Sequence, residues 1–176
     1  IPNTANLYMS ANPAVGPAIA GTVVGLYWLM MMFGRLLGGA IGGKVSSKAM
    51  LVAVSSLAIA MLVCVMFFPE TWVVTFKGIE LPVSMILMFL CGLMTSVMWG
   101  AIFNLAAEGL GKYTPAASGI FMALVCGGGI LPFFQNLLAD HTNYLISYIV
   151  PIAGLLYILF YALVGSKNVN GDIPTE

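Results

Sequence analysis

Five stretches of this chain, at roughly 17–42, 49–69, 81–107, 114–139 and 143–166, run for about twenty residues or more with almost no charge. No other feature constrains the fold as strongly, because crossing the hydrocarbon of a bilayer takes about 20 consecutive apolar residues at the helical rise. A barrel strand crosses in about 10 residues of alternating polarity, and these runs neither alternate nor stop that early. Backbone N–H and C=O groups cannot go unpaired in lipid, so each run reads as a helix. Composition agrees: 61% of residues are hydrophobic and 7% charged, against about 25% charged in a soluble domain. The expected fold is therefore an all-α membrane protein with five transmembrane helices in a bundle over 17–166.

The connectors "GKVSSK", "PETWVVTFKGIELP", "EGLGKYTP" and "DHTN" carry breakers and polar residues. Residues 1–16 are polar enough to read as an extracytoplasmic loop, and 167–176 as a cytoplasmic tail. Charge orients the bundle. Arg35, Lys44, Lys48, Lys112 and Lys167 fall on one side, and Lys77 alone on the other. The positive-inside rule then places the C-terminus in the cytoplasm. Trp72, Tyr144 and Tyr148 fall near the outer boundary as interfacial anchors. Five spans with an outside start would be completed by a sixth helix ahead of Ile1, so the sequence reads as part of a longer polypeptide.

Several function classes are disfavoured. Net charge is zero and no basic patch invites nucleic acid. Cys64, Cys91 and Cys126 lie inside apolar runs as small packing residues, and His141 has no cysteine or second histidine nearby, so no metal and no cofactor is expected. No Ser/His pair, paired carboxylates or metal cluster falls at membrane depth, which argues against an enzyme.

Glycine patterns the first span. Gly21, Gly25, Trp28, Met32, Arg35 and Gly39 share one helical stripe, and Gly34/Gly38 and Gly38/Gly42 are further small-xxx-small pairs. Such faces let a second backbone approach closely. Plain tight packing and a helix that rocks during a transport cycle are both open. Arg35 costs about 2.5–3.5 kcal/mol at a helix centre on insertion scales. It lies within two turns of the inner end, where snorkelling relieves much of that cost. The nearest acid in depth is Glu108, and an Arg35–Glu108 pair is the expectation.

The run "GRLLGGAIGGKVSSKAML" resembles the cytoplasmic turn between the second and third helices of a half-domain in the major facilitator superfamily. The general Gly-x-x-x-Asp-Arg-x-Gly-Arg-Arg pattern is degenerate here, lacking the Asp and carrying lysines for arginines. The run "SVMWGAIFNLAAEGLGKYTPAASGIFMALVCGGGILPFFQNLLAD" is similar to the last-but-two and last-but-one helices of the fucose permease and glucose/galactose transporter family. The resemblance covers essentially the whole chain and implies that the five spans are helices 8–12, a partial C-terminal half. It further implies a monosaccharide substrate, alternating access, proton coupling, a bacterial inner-membrane location and a partner N-terminal half with helices 1–7. The coupling carboxylate would lie in that half, since Glu108 is at the inner edge of its span. A different class, a small accessory or assembly subunit of a membrane complex, stays open.

Transporters of this class bind substrate near the bilayer midplane. In the third span Ser84, Cys91, Thr95 and Trp99 share a face, with Thr95 near mid-depth. An indole stacks on the apolar face of a pyranose while its N–H donates to a hydroxyl, and the resemblance implies an aromatic at Trp99. Trp28 lies near mid-depth in the first span. In the fourth, Gln135 and Asn136 offer amide donors and acceptors that suit hydroxyls. The expected binding set is thus Trp99, Thr95, Gln135, Trp28 and Asn136. Arg35, Lys44, Lys48, Glu108 and Asn104 are expected as gating or structural residues near the inner end. Gly127, Gly128 and Gly129, with Pro132 a turn later, weaken the fourth helix and read as close packing or as a hinge.

Overall fold

The computed structural model describes residues 1–11, 16–68, 72–76, 79–125 and 127–167. Cys126, Lys77 and the tail beyond Lys167 lie outside the described residues. Among the described residues, five helical spans are long and apolar enough to cross a membrane: Ile19–Gly42, Ser47–Phe67, Val83–Ala107, Gly111–His141 and Ile146–Gly165. The chain is an all-α membrane protein.

In chain order the elements are α1 (Pro2–Ala11), α2 (Gly16–Gly42), α3 (Ser47–Phe67), β1 (Val73–Phe76), β2 (Ile79–Pro82), α4 (Val83–Ala107), α5 (Thr114–Leu124), α6 (Gly127–His141) and α7 (Ile149–Phe160). Helix α4 is central, packed against α2 and α3, while α7 lies outside α3, and α1 rests on α2 and touches α4 and α6. The α3 residues in the core are Leu51, Ser55, Ala58, Leu62 and Val65. Their alternating four- and three-residue spacing gives one stripe per helix face.

Helix ends follow local chemistry. Ser46 caps α3, its hydroxyl accepting from the Ala49 N–H at 3.3 Å. Gly109, at φ 78°, takes the left-handed position that closes α4. Pro115 sits in the first turn of α5, where its missing N–H costs nothing. Three hydroxyls are satisfied by their own helices. Ser55 donates to the Leu51 carbonyl, Ser118 to Thr114 and Ser166 to Ala162, so lipid meets no open hydroxyl at these positions.

Two differences from the sequence reading stand out. Residues 2–11, expected as part of an extramembrane loop over 1–16, form helix α1, with Thr4, Ala5, Tyr8 and Met9 buried. Its polar residues misled because several are spent internally: Ser10 donates to Asn6 Oδ1 at 3.0 Å and Thr4 to Asn136 Oδ1 at 2.9 Å. The connector ahead of α4 holds an antiparallel hairpin, pairing Val73 with Pro82 and Phe76 with Ile79. Its β-branched Val73, Val74, Thr75 and Ile79 suit extended backbone.

The fourth span is interrupted. Helix α5 stops at Leu124, Val125 is in a turn, and α6 begins at Gly127. At the lysine-bearing end, Lys48 Nζ donates to the Leu163 carbonyl at 3.2 Å, a cation set on the last turn of the final span.

Candidate functional site

The α2–α4 seam is built on missing side chains. A Cβ added at Gly92 would lie 2.5 Å from the Tyr27 carbonyl oxygen, and one at Gly34 would lie 2.6 Å from that of Leu93. Only hydrogen fits at either position, so the two backbones touch. Gly21, Gly25 and Gly39 meet nothing within 4 Å, so the close approach uses Gly34 and Gly38 and leaves the stripe containing Trp28 and Met32 facing outward. Helical spacing identifies a face but not its partner, and a face carrying Trp28 and Met32 is too bulky for backbone contact.

Polar bonds lock the same seam. Ser96 donates to the Met31 carbonyl at 2.5 Å, and Tyr27 and Thr95 share a hydroxyl–hydroxyl bond of 3.1 Å. The Thr95 proton points back to the Cys91 carbonyl at 3.0 Å, so the Tyr27 phenol is the donor. Thr95 is thus engaged between helices, and Ser84 and Cys91 on its face are buried in the core. Of that expected face only Trp99 opens outward, at 39% exposure.

Trp99 lines a cavity of about 390 Å³ with Arg35, Gly38, Gly39, Ser96 and Asn104. Its ring packs on Phe121 of α5, centroids 5.0 Å apart, and Phe121 meets Phe103 at 5.5 Å. Trp28 stands edge-on to Tyr27 at 5.8 Å and is exposed. Glu108 opens on a separate cavity of about 530 Å³ with Ser46, Ser47, Lys48 and Ser166, and Asn104 borders both. Arg35 and Glu108, expected as a pair, therefore line different cavities. Asn104, expected as a gating or structural residue, shares a cavity with Trp99. Lys44 is exposed in the turn after α2.

Gln135 and Asn136, adjacent on α6, line different cavities. Gln135 is 3% exposed, and its Nε2 has no partner among the described residues. It lines a cavity of about 210 Å³ with Gly128, Leu131, Pro132, Val150 and Pro151. Pro132 has no N–H, so the Gly128 carbonyl cannot receive its helical bond from that position. An orphan donor and a released acceptor border one cavity, an arrangement that a single hydroxyl satisfies. Asn136 lines a cavity of about 330 Å³ with Pro2, Asn3, Asn6, Leu7 and Val24. A Cβ added at Gly127, Gly128 or Gly129 would meet no atom of the described residues within 4 Å. Among the described residues no group of three His, Cys, Asp or Glu could hold a metal.

The structure thus gathers Trp99, Arg35 and Asn104 at the lysine-bearing end and Gln135 and Asn136 nearer the hairpin end, with Thr95 and Trp28 in between. A Brucella abortus protein named glucose/galactose transporter is 43% identical over 77 residues, covering 44% of this chain and 19% of that protein. A Helicobacter pylori protein named "Putative glucose/galactose transporter" is 30% identical over 149 residues, covering 81% of this chain and 33% of its own length. The chain is a homologue of the glucose/galactose transporters. It spans about a third or less of the length of the curated relatives it matches. No protein-family model and no solved structure matches it.

In this transporter homologue, sequence reasoning missed Asn3, Asn6, Tyr27, Ser96 and Phe121. The first two were hidden by reading 1–16 as a loop. Ser96 and Tyr27 carried one available signal: a hydroxyl in a long apolar helix must find a partner, and the nearest is a neighbouring backbone or another hydroxyl.

Proposed function

We propose that this chain is part of a major facilitator superfamily secondary transporter that carries a monosaccharide of the glucose/galactose or fucose type across the bacterial inner membrane. Transport proceeds by alternating access and is coupled to protons. The observation that carries this reading is similarity to named glucose/galactose transporters over 81% of the chain. Cavities lined by aromatic and amide side chains within the spans support it. In this reading the chain supplies helices 8–12, with its C-terminus in the cytoplasm. A partner half with helices 1–7 closes the other wall of the cavity and supplies the coupling carboxylate.

Trp99 stacks on the apolar face of the sugar ring and Gln135 bonds a hydroxyl, with Trp28 and Asn136 as further contacts. Thr95 acts through Tyr27, holding the α2–α4 seam. Arg35, Lys44 and Lys48 fix orientation at the cytoplasmic boundary, where Asn104 and Glu108 line the closing mouth. The Gly127–Gly129 run lets α5 and α6 bend relative to each other.

The test is uptake of radiolabelled D-glucose, D-galactose and L-fucose into vesicles carrying the full-length gene product. Saturable accumulation that a protonophore collapses is expected, with at least a tenfold loss in Trp99→Ala. Absence of saturable uptake of all three sugars at normal protein abundance overturns the substrate class. Accumulation indifferent to the protonophore overturns the coupling.

A further inference from the structure

We propose that α1 brings Asn3 and Asn6 to Asn136 to form a carboxamide site for a neutral, hydroxyl-rich solute; its identity as a sugar rests on the function proposed above. The three amides line one cavity of about 330 Å³, within the range of about 300–1,000 Å³ of small-molecule pockets. The other lining residues are Pro2, Leu7 and Val24. No lining residue is charged, so the cavity offers an ion no counter-charge.

The amides are pre-set as donors. Asn136 Oδ1 accepts from Thr4 Oγ1 at 2.9 Å, and Asn6 Oδ1 accepts from Ser10 Oγ at 3.0 Å. In each case the carbonyl is committed to a protein hydroxyl, while the NH₂ group has no partner among the described residues. Two oriented donors fit a solute rich in lone pairs, as ring and hydroxyl oxygens are. Asn3 and Asn6, three residues apart, share one face of α1, and the buried Ala5, Tyr8 and Met9 anchor the helix to the bundle. The Tyr8–Tyr144 ring contact at 6.3 Å and the bond from the Tyr148 hydroxyl to the Ile1 carbonyl at 3.3 Å hold α1 in place. Donors on a fixed helix lose little freedom on binding. Pro2, Leu7 and Val24 complete the wall with the apolar contact that the C–H face of a pyranose needs.

The experiment compares wild type with Asn6→Asp and Asn136→Asp in the full-length gene product reconstituted in proteoliposomes. Each exchange keeps shape and the accepting oxygen while replacing the NH₂ donor by a second acceptor. The expected result is a KM for D-galactose raised tenfold or more with Vmax changed less than twofold. The rise in unfolding temperature that galactose gives the wild type should also be lost. Asn3→Ala, at an exposed position, keeps the test open if the Asp variants do not accumulate; it should raise KM at least threefold. Wild-type KM and wild-type sugar stabilisation in these variants overturn the α1 site and leave the sugar reading standing. A wild type that neither transports nor is stabilised by any of D-glucose, D-galactose or L-fucose overturns both.

Discussion

Gly92→Ala adds one methyl group at the point where α4 lies closest to α2. The new carbon would sit 2.5 Å from the Tyr27 carbonyl oxygen, against an ordinary contact distance of 3.4 Å. The obstacle is backbone, so the helices must part by about 0.9 Å along that line. Parting stretches the Ser96–Met31 and Tyr27–Thr95 bonds on the same seam, each contributing about 0.5–1.5 kcal/mol. Staying put incurs overpacking strain of about 1–3 kcal/mol. Alanine returns up to about 1 kcal/mol of helix propensity. The net expectation is a loss of about 2 kcal/mol. Gly21→Ala meets nothing within 4 Å and keeps only the propensity gain. Thermal unfolding in detergent, followed by a thiol-reactive fluorophore, reads both effects, because Cys91 beside Gly92 is fully buried. Gly92→Ala should unfold earlier with faster Cys91 labelling, and Gly21→Ala should match or exceed wild type. A Gly92→Ala protein as stable as wild type, with Cys91 equally protected, would refute the close-approach argument.

Gln135→Leu should raise the unfolding temperature, by relieving a buried donor without a partner among the described residues at about 1–3 kcal/mol, yet abolish sugar uptake; a destabilised variant would mean that the amide is bonded after all. Ser96→Ala should cost about 0.5–1.5 kcal/mol through the lost bond to Met31, read as earlier thermal unfolding in detergent. Lys48→Met should cost about 0.3–1 kcal/mol by uncovering the Leu163 carbonyl. That cost should shrink at high salt in paired denaturation curves.

The five spans were legible because length and hydropathy decide them almost without tertiary information. Residues 47–67 and 83–107 match the windows read from sequence to within two residues at either end. Helix α1 was not legible, because its core-facing residues Ala5, Tyr8 and Met9 are diluted by Asn3, Thr4, Asn6 and Ser10. The hydrogen bonds that neutralise those polar groups exist only after folding. The glycine seam was half legible: the small-residue spacing announced a close contact, but choosing between Gly21/Gly25 and Gly34/Gly38 required knowing where α4 would lie. For the site, an exposed Trp99 in an apolar span could be suspected from composition alone. The division of Gln135 and Asn136 between two cavities could not, because the Asn136 cavity is walled by α1 residues.

The interruption after Leu124 turns one membrane-length span into two short rods, and short rods are levers. Helix α5 has 11 residues, so it is roughly 16 Å long at the helical rise. A swing of roughly 20° at the joint, the onset of a sharp kink, would carry its far end by roughly 6 Å. Helix α6 would stay where Asn136 is tied to Thr4. Among the described residues that rod carries an aromatic latch, Phe121 against Trp99 and Phe103. Trp99 is therefore the ring that any swing of α5 would have to release.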